Sequence, residues 1–335
     1  MTRLILGFAL FLALYTSCQT RAQQAQQDQE LPRFGVETEV VRVPISVVGE
    51  DGQLYTELTR DNFRVKEQGA LQEIVSFAGG ESPLTIVLLL EYSRIVTYIR
   101  SEVLRPAGLF ISQILKPEDY ASIVAFDTSP EVLVDFTRNR QELMSAVNSL
   151  LYSVPAFSDS SLFDAVVFTV AGGKIEDIEY KGLGEVEGRT AVLLVATGLN
   201  TFSRHTYDEA RRAVANSGVP IYSIGVGELA FIRAEPYLSG LQRLSFLQAQ
   251  NQLRTFAQES GGRFYSVRFA GALGGVLDSI AKMMRFQYMI GYRPPKGGKG
   301  GEKREIEVEV DIDGDGAPDN DQLDLSYRRY YVIPK

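Results

Sequence analysis

Three oxygen-bearing side chains stand where runs of apolar residues end. Glu91 and Ser93 follow the run LTIVLLL, and Thr197 follows the run TAVLLVA. Carboxylate and hydroxyl oxygens are the ligands that hard cations such as Mg²⁺ and Ca²⁺ take in proteins. In an open parallel sheet, ligands collect beyond the carboxyl ends of the strands, because helix N-termini and loops converge there. The sequence therefore predicts that these side chains lie at such strand ends, where a metal site is the first chemistry to consider.

A second group of oxygen ligands lies near the end of the chain, in the segment DIDGDGAPDND. Asp311, Asp313 and Asp315 occupy positions 1, 3 and 5 of a calcium-binding loop, with a glycine at position 6 and Asp319 at position 9. Gln322 stands at position 12, where such loops have a bidentate glutamate. Four carboxylates this close repel one another unless a cation lies between them. Two interpretations stay open, a Ca²⁺ site or a solvated acidic turn between two strands.

Other chemistries have weaker support in the sequence. His205 is the single histidine, and no G-x-S-x-G segment accompanies it, which disfavours a Ser-His-Asp hydrolase. The segment GGKGGEK lacks the order of a P-loop, and IGVG lacks the third glycine of a dinucleotide fingerprint. An unrecognised hydrolase remains the alternative from another functional class.

The elements that must position Glu91 and Thr197 follow from the apolar pattern. Nearly continuous apolar runs predict strands that are buried on both faces of a parallel sheet, and helical patterns lie between them. Thr206 and Glu209 have the spacing of a capping box, and Gly218 follows as a helix stop. This alternation predicts a doubly wound α/β domain with a mostly parallel sheet. The predicted strands lie within 84–92, 121–127, 189–198 and 219–227, and the predicted helices span 95–115, 140–151, 161–171, 206–216, 241–259 and 273–284.

Short β-type runs flank the α/β domain, which we place at 81–286. Residues 34–80 contain VETEVVRVPISVV and LQEIVSFAG, and residues 287–335 contain the alternating strand REIEVEVDI. Each flanking segment is too small to bury a core alone. We therefore predict that they pair into one small β-sandwich, into which the α/β domain is inserted.

The first residues have the proportions of a signal peptide, with an arginine before a short apolar run. Residues 1–22 are predicted to be this signal, and 23–33 to be a polar linker. Cleavage after Ala22 would discard Cys18, the single cysteine, whereas lipid attachment to Cys18 would make the glutamine-rich segment a tether. Either alternative predicts an exported protein, periplasmic or secreted. No later run reaches the roughly 18 apolar residues of a membrane helix, so the mature chain is expected to lack a transmembrane segment.

The charge balance limits the partners. The chain has 34 basic and 42 acidic residues, a formal net charge of −8, and no basic run. Nucleic acids and anionic lipid surfaces are poor partners for such a chain, because binding to them depends on clustered positive charge. We expect the partner to be another protein.

Beyond these residue-level arguments, the segments GRTAVLLVATGLNTFSRHTYDEA and VPIYSIGVGE match a known family in order and spacing. Residues 83–286 resemble the von Willebrand factor type A (VWA) domain, specifically an exported bacterial subfamily common in acidobacteria. That subfamily also has flanking β segments such as VRVPISVVGEDGQLYTELTRDNFRVKEQG and QYMIGYRPP. The resemblance implies a metal-ion-dependent adhesion site at the carboxyl edge of the sheet.

The adhesion site of this family has Asp-x-Ser-x-Ser after the first strand, a Thr in a second loop and an Asp after the fourth strand. Carried over by resemblance, these positions fall on Glu91, Ser93, Ile95, Ser160 and Thr197. Ile95 offers no oxygen, and Thr197 removes an anion. Because Mg²⁺ requires near-octahedral oxygen coordination, these losses predict a degenerate site at which Mg²⁺ is not expected.

The expected function is therefore that of an exported, non-enzymatic binding module that recognises a partner protein with its carboxyl-edge loops. Arg94 and Arg204 are expected to contact an acidic side chain of the partner. Without a metal, Glu91 is expected to pair with Arg94, Arg100 or Arg204, which would hold the loops together. The alternative within this class is a cation-dependent adhesion protein that retains weak Mg²⁺ or Ca²⁺ binding.

Overall fold

The computed structural model describes residues 40–175, 178–226, 228, 231, 239–267 and 270–333. The predicted signal peptide, Cys18 and the predicted polar linker lie outside the described residues. Among the helices that are described, none has the length and apolar character needed to cross a membrane.

The antiparallel elements come first and last, with alternating strands and helices between them. A 3₁₀ turn, Arg94–Ile99, precedes the first helix, and a π-helical turn, Phe110–Ile114, follows it. The strands and helices in chain order are β1 (Val41–Gly49), β2 (Phe63–Glu67), β3 (Ala70–Gln72), β4 (Ile74–Ala78), β5 (Leu84–Glu91), α1 (Arg100–Leu109), β6 (Tyr120–Phe126), β7 (Pro130–Thr137), α2 (Arg140–Tyr152), α3 (Leu162–Ala171), β8 (Gly173–Ile175), β9 (Ile178–Tyr180), β10 (Arg189–Ala196), α4 (Tyr207–Ser217), β11 (Ile221–Gly225), α5 (Gly240–Ser260), β12 (Phe264–Ser266), α6 (Leu273–Phe286), β13 (Tyr288–Tyr292), β14 (Lys303–Val310), β15 (Leu323–Tyr327) and β16 (Tyr330–Val332).

The central sheet has six strands in the order β12-β11-β10-β5-β6-β7. Its strands pair in parallel, except that β7 runs antiparallel to β6 at one edge. Within this sheet, β5 is the first strand in sequence. The chain then passes outward through β6 and β7 and returns to β10 on the other side of β5. The strand order therefore reverses between β5 and β10, and such a reversal opens a crevice at the carboxyl edge. The predicted mixed α/β fold with a mostly parallel sheet is confirmed.

Apolar side chains of β5 alternate between the two faces of this sheet, as the pleat requires. Ile86, Leu88 and Leu90 belong to one buried cluster, with residues of α1, α2 and α6. Val87 and Leu89 belong to another, with residues of α3, α4 and α5. Burial on both faces explains why the central strands are almost continuously apolar.

Two four-stranded antiparallel sheets combine the segments before and after the α/β unit. Their orders are β15-β1-β13-β4 and β16-β14-β2-β3, so each sheet takes two strands from either side of that unit. Val43 and Ile45 of one sheet share a buried cluster with Val65 and Val308 of the other. Strand pairs such as β1 with β13 and β2 with β14 thus hold together the segments before and after the α/β unit.

Some elements differ from the sequence prediction. Strands β7 and β12 at the edges of the central sheet were not predicted, because β7 is only partly buried and β12 has three residues. The helix predicted over 95–115 is divided into a 3₁₀ turn, α1 and a π turn. Pro106 lies inside α1 and cannot donate a backbone hydrogen bond there.

Candidate functional site

Glu91 and Thr197 meet at the reversal point of the central sheet. Glu91 is the last residue of β5, and Thr197 follows the last residue of β10, while Leu90 and Val195 are register partners on these neighbouring strands. The Glu91 side chain is fully buried and Thr197 is almost so. The two residues are 106 positions apart in sequence but adjacent at the sheet edge.

The Glu91 carboxyl group accepts hydrogen bonds from neutral donors on both oxygens. Its Oε2 accepts from the Thr197 backbone N–H at 2.7 Å and from Thr197 Oγ1 at 2.8 Å. Its Oε1 accepts from Ser93 Oγ at 3.3 Å. Thr197 therefore acts as a double hydrogen-bond donor to the Glu91 carboxyl group.

Burial dominates the electrostatics of Glu91. Desolvation raises the pKa of this carboxyl group above its ordinary value, although the hydrogen bonds from Thr197 and Ser93 act in the opposite direction. The expected ion pair with an arginine is wrong, since no cationic side chain of the described residues pairs with Glu91. Arg94 donates to the carbonyl of Pro155, and Arg100 donates to the carbonyls of Leu151 and Ser153 at the end of α2.

Ser160 reaches the same edge from the loop between α2 and α3. Its backbone carbonyl accepts from Thr201 N and Phe202 N, at 2.8 and 3.1 Å, and its N–H donates to Thr201 Oγ1 at 2.8 Å. The buried Ser160 hydroxyl favours the ionised form of Glu91, but it has no hydrogen-bond partner of good geometry among the described residues, and neither has the Ser161 hydroxyl.

The residues at this edge do not fit a strong Mg²⁺ site. Glu91 is the buried carboxylate there, and both of its oxygens accept hydrogen bonds from neutral groups. Within the described residues, Glu91 belongs to no group of three acidic, histidine or cysteine side chains. The buried Ser160 and Ser161 hydroxyls, which have no hydrogen-bond partner among the described residues, are features that favour a cation. The backbone of Ile95 lies in the 3₁₀ turn after β5, and its side chain lies outside the described residues.

The turn after β10 is held from below by α5. Gln250 Nε2 donates to the Thr197 carbonyl at 2.9 Å. Gly198 has a φ of +86°, and a Cβ at this position would lie 2.2 Å from the carbonyl oxygen of Ala249. Only glycine is therefore compatible with this contact, which fixes Thr197 against Glu91.

Asp164, in the first turn of α3, is a residue that the sequence analysis missed. Its carboxylate accepts from the backbone N–H groups of Arg204 and His205, and His205 Nδ1 lies 2.8 Å from its Oδ1. The helix dipole favours a carboxylate at the beginning of a helix. An acidic residue in the first turn of the predicted helix 161–171 is therefore the sequence signal that could have identified Asp164. No hydroxyl donates to His205 in the described part of the chain, so a Ser-His-Asp arrangement is not assembled there.

Several large apolar side chains are exposed on the loops at this edge. Hydrogen bonds join these loops, since Arg94 N donates to Phe157 O, and Phe202 N donates to Ser160 O. We use the term edge loops for residues 91–100, 151–161 and 197–206, which are the loops at this edge together with the adjoining ends of β5, α1 and α2. Their exposed apolar side chains are Tyr98 at 98%, Tyr152 at 88%, Val154 at 72%, Phe202 at 59% and Phe157 at 54%.

The acidic turn between β14 and β15 has the geometry of a cation loop. Ligand oxygens of Asp311, Asp313 and Asp315 all lie within 4.8 Å of one another, which a Ca²⁺ ion with ligand distances of about 2.3–2.6 Å would span. Gly316, at position 6, has a φ of +95°, as this sharp turn requires. Asp319 Oδ2 instead accepts from the backbone N–H of Ile312 at 2.7 Å.

Asp311 is the buried carboxylate of these three. Its oxygens accept from Gly314 N and Gly316 N, at 2.8 and 2.9 Å, and Arg64 lies 3.4 Å away. Asp313 is exposed and Gln322, at position 12, is exposed beside it in a shallow pocket. The first three predicted ligands are therefore brought together, and the residues fit a weak Ca²⁺ site.

No protein-family model and no curated protein matches the chain. Solved structures similar to it include the conserved hypothetical protein BatB from Bacteroides thetaiotaomicron, with 14% identity, a TM-score of 0.41, and coverage of 60% of this chain and 98% of that one. Proximal thread matrix protein 1 from the mussel byssus is 12% identical with a TM-score of 0.44, and the match covers 65% of this chain and half of that one.

A third similar structure is the von Willebrand factor domain of the type V pili tip protein Mfa5 from Porphyromonas gingivalis. It is 11% identical with a TM-score of 0.41, and the match covers 62% of this chain and 96% of that one. This is the family that the sequence resembles. At such identities the likeness concerns the fold, and no residue of the site is assigned from it.

Proposed function

We propose that this chain is an exported, non-enzymatic binding module that recognises a partner protein with its edge loops, without a metal ion. The observation that carries the proposal is the exposure of Tyr98, Tyr152, Phe157 and Phe202 on loops that hydrogen bonds join together. Large apolar side chains grouped at one end of a domain are typical of protein-interaction surfaces.

The Glu91–Thr197 contact supports the metal-independent form of this proposal. In a metal-dependent site, carboxylates and hydroxyls hold the loops by sharing a cation. Here the Thr197 N–H and hydroxyl bind the Glu91 carboxyl group directly, so the end of β10 and the end of β5 are joined without one.

Charge on the edge loops favours an acidic partner side chain. Arg94 and Arg204 are exposed, and neither forms an ion pair within the described residues. In a chain with a net charge of −8, these arginines present local positive charge. Such charges at the rim of an apolar surface select and orient an oppositely charged partner.

The second candidate function is cation-dependent adhesion with weak affinity. The buried Ser160 hydroxyl, which has no described hydrogen-bond partner, favours it, because it is available as a ligand. Glu91 would then have to exchange its hydrogen bonds from Thr197 and Ser93 for a metal.

The test is capture of partners from the envelope extract of the source organism, with and without chelator. We expect the same partner to be retained in chelator, and to be lost with the double variant Tyr98→Ser, Phe157→Ser. Leu71→Ser is the matched control, because Leu71 is 66% exposed on β3, away from the edge loops.

Elution by chelator would support the cation-dependent candidate, unless Asp313→Ala eluted the partner equally. Retention of the partner by the double variant would overturn the proposal for the edge loops. Charge reversal of Arg94 and Arg204 to Glu should weaken capture further if an acidic partner side chain is bound there.

A further inference from the structure

A groove of about 500 Å³ lies where the α/β unit meets the antiparallel sheet that contains β15. Arg254 and Gln258 line it from α5, and Arg263 from the start of β12. Asp324 and Ser326 of β15 line the other side, and Arg329 follows that strand. The size lies within the usual range of small-molecule sites.

Each of the three guanidinium groups is oriented by contacts with neighbouring side chains. Arg263 Nη2 lies 2.5 Å from Asp324 Oδ2 and 3.2 Å from Ser326 Oγ. Arg254 is held over the Phe264 ring, with its Cζ 4.9 Å from the ring centroid. Arg329 stacks over the Tyr327 ring, with its Cζ 4.2 Å from the ring centroid, and donates to the Tyr327 hydroxyl at 2.7 Å. Their side-chain freedom is therefore already reduced before a ligand binds.

The floor of the groove is rigid because two backbone segments are in direct contact. Gly261 has a φ of +84°, and a Cβ there would lie 2.9 Å from Arg328 N. A Cβ on Gly262 would lie 2.1 Å from the carbonyl oxygen of Ile221. The turn between α5 and β12 is therefore pressed against both β11 and the end of β15, which fixes the backbone of Arg263 relative to β15.

The charge of the groove is opposite to that of the chain. Three arginines and one carboxylate, Asp324, line the groove, in a protein with 34 basic and 42 acidic residues. Arg254 and Arg329 form no ion pair in the part of the chain that the structure describes. Two guanidinium forks are thus left with unused donors, which suit the oxygens of an anion.

We propose that this groove binds a small oxyanion-bearing ligand, whose phosphate, sulfate or carboxylate oxygens are held by Arg254, Arg263 and Arg329. Gln258 and Ser326 supply neutral hydrogen bonds to the rest of the ligand. The groove uses no residue of the edge loops, so this site is independent of the proposed function.

The experiment is isothermal titration calorimetry of the purified full chain at low ionic strength, with inorganic phosphate, sulfate and citrate as separate probes. The test variant is Arg254→Gln combined with Arg329→Gln. The matched control is Arg138→Gln, because Arg138 is also exposed and also stacks on a tyrosine, at 4.2 Å from the Tyr120 ring, but lies at the end of β7.

We expect saturable binding of at least one probe, weakened about tenfold or more by the double variant and unchanged by the control. Binding of phosphate and sulfate alone would assign a tetrahedral oxyanion, and binding of citrate alone would assign a carboxylate ligand. Absence of heat with all three probes, or equal weakening by Arg138→Gln, would overturn the proposal. Unchanged thermal unfolding of the double variant would show that its loss of binding is not loss of folding.

Discussion

The edge of the central sheet and the turn between β14 and β15 both gather oxygen ligands, but they differ in how many carboxylates they contain and how far these are exposed. Glu91 is a single, fully buried carboxyl group that accepts hydrogen bonds from neutral donors. Asp311, Asp313 and Asp315 lie within 4.8 Å of one another, and two of them are exposed. A bound cation would neutralise one buried carboxyl group at the sheet edge, but three close carboxylates at the acidic turn.

This difference indicates that a suitable ligand type at an expected position does not by itself predict a metal site. At the sheet edge, the side chain that contacts Glu91 Oε2 is the neutral hydroxyl of Thr197, which donates a hydrogen bond to it. In the acidic turn, close carboxylates repel one another, and backbone N–H groups only partly offset this repulsion. We therefore expect divalent cations to change the stability of the protein through the turn and not through the sheet edge.

The largest expected effect comes from removing the Glu91 carboxyl group. Glu91→Leu leaves the Thr197 N–H and the Ser93 hydroxyl buried without their acceptor, which should lower the free energy of unfolding by about 3 kcal/mol. Glu91→Gln keeps one acceptor oxygen and should cost about 1 kcal/mol. Urea denaturation in chelator measures both. A Mg²⁺-dependent stabilisation of the wild type that Glu91→Leu abolishes would contradict the metal-free edge.

The pH dependence of stability gives a separate test of the same group. Burial raises the pKa of Glu91 in the folded protein above its ordinary value of 4.5. As pH rises, Glu91 therefore loses its proton in the unfolded chain at a lower pH than in the folded protein. Its contribution to the free energy of unfolding is fully present below about pH 4.5 and is lost as pH rises through the folded pKa.

The measurement is the difference in unfolding free energy between wild type and Glu91→Gln over pH 4 to 8. Subtracting the variant removes the titration of the other carboxylates. We expect the wild type to lose stability relative to Glu91→Gln as pH rises. A difference that instead grows in favour of the wild type would mean that a counter-charge stabilises the ionised form.

Much of this fold could be predicted from the sequence because burial leaves a pattern. The central strands β5, β6, β10 and β11 are apolar throughout, and the capping box of Thr206 and Glu209 is formed at the start of α4. The edge strands β7 and β12 lack that pattern, since only one side of each has a neighbouring strand. Periodicity therefore identifies the middle of the sheet better than its edges.

The site was less predictable, since its contacts join distant positions. The partner of Glu91 is a backbone N–H and a hydroxyl 106 residues away, and composition alone favoured an arginine. The groove lined by Arg254 and Arg329 depends on the docking of β15 against α5. Neither residue belongs to a recognisable motif, so its role depends on tertiary structure.

A smaller effect is expected from calcium at the acidic turn. At a concentration ten times the dissociation constant, Ca²⁺ should stabilise the protein by about 1.4 kcal/mol and raise the melting temperature by a few degrees. Asp313→Ala should remove this response. Asp321→Ala is the matched control, because Asp321 is an exposed acid beside the turn that is outside the group of three. Equal loss of the response in both variants would indicate screening of surface charge and not a bound ion.

The smallest effect should come from Ser160→Ala, and it separates the two candidate functions most directly. The Ser160 hydroxyl is buried without a hydrogen-bond partner in the described residues, so its removal should change the free energy of unfolding by less than about 0.5 kcal/mol. Urea denaturation with and without Mg²⁺ provides the measurement. If the hydroxyl were a ligand, the variant would lose stability in Mg²⁺ but not in chelator, because only the bound ion depends on that oxygen. Equal stability of wild type and variant under both conditions is what a sheet edge joined by Glu91 and Thr197 requires.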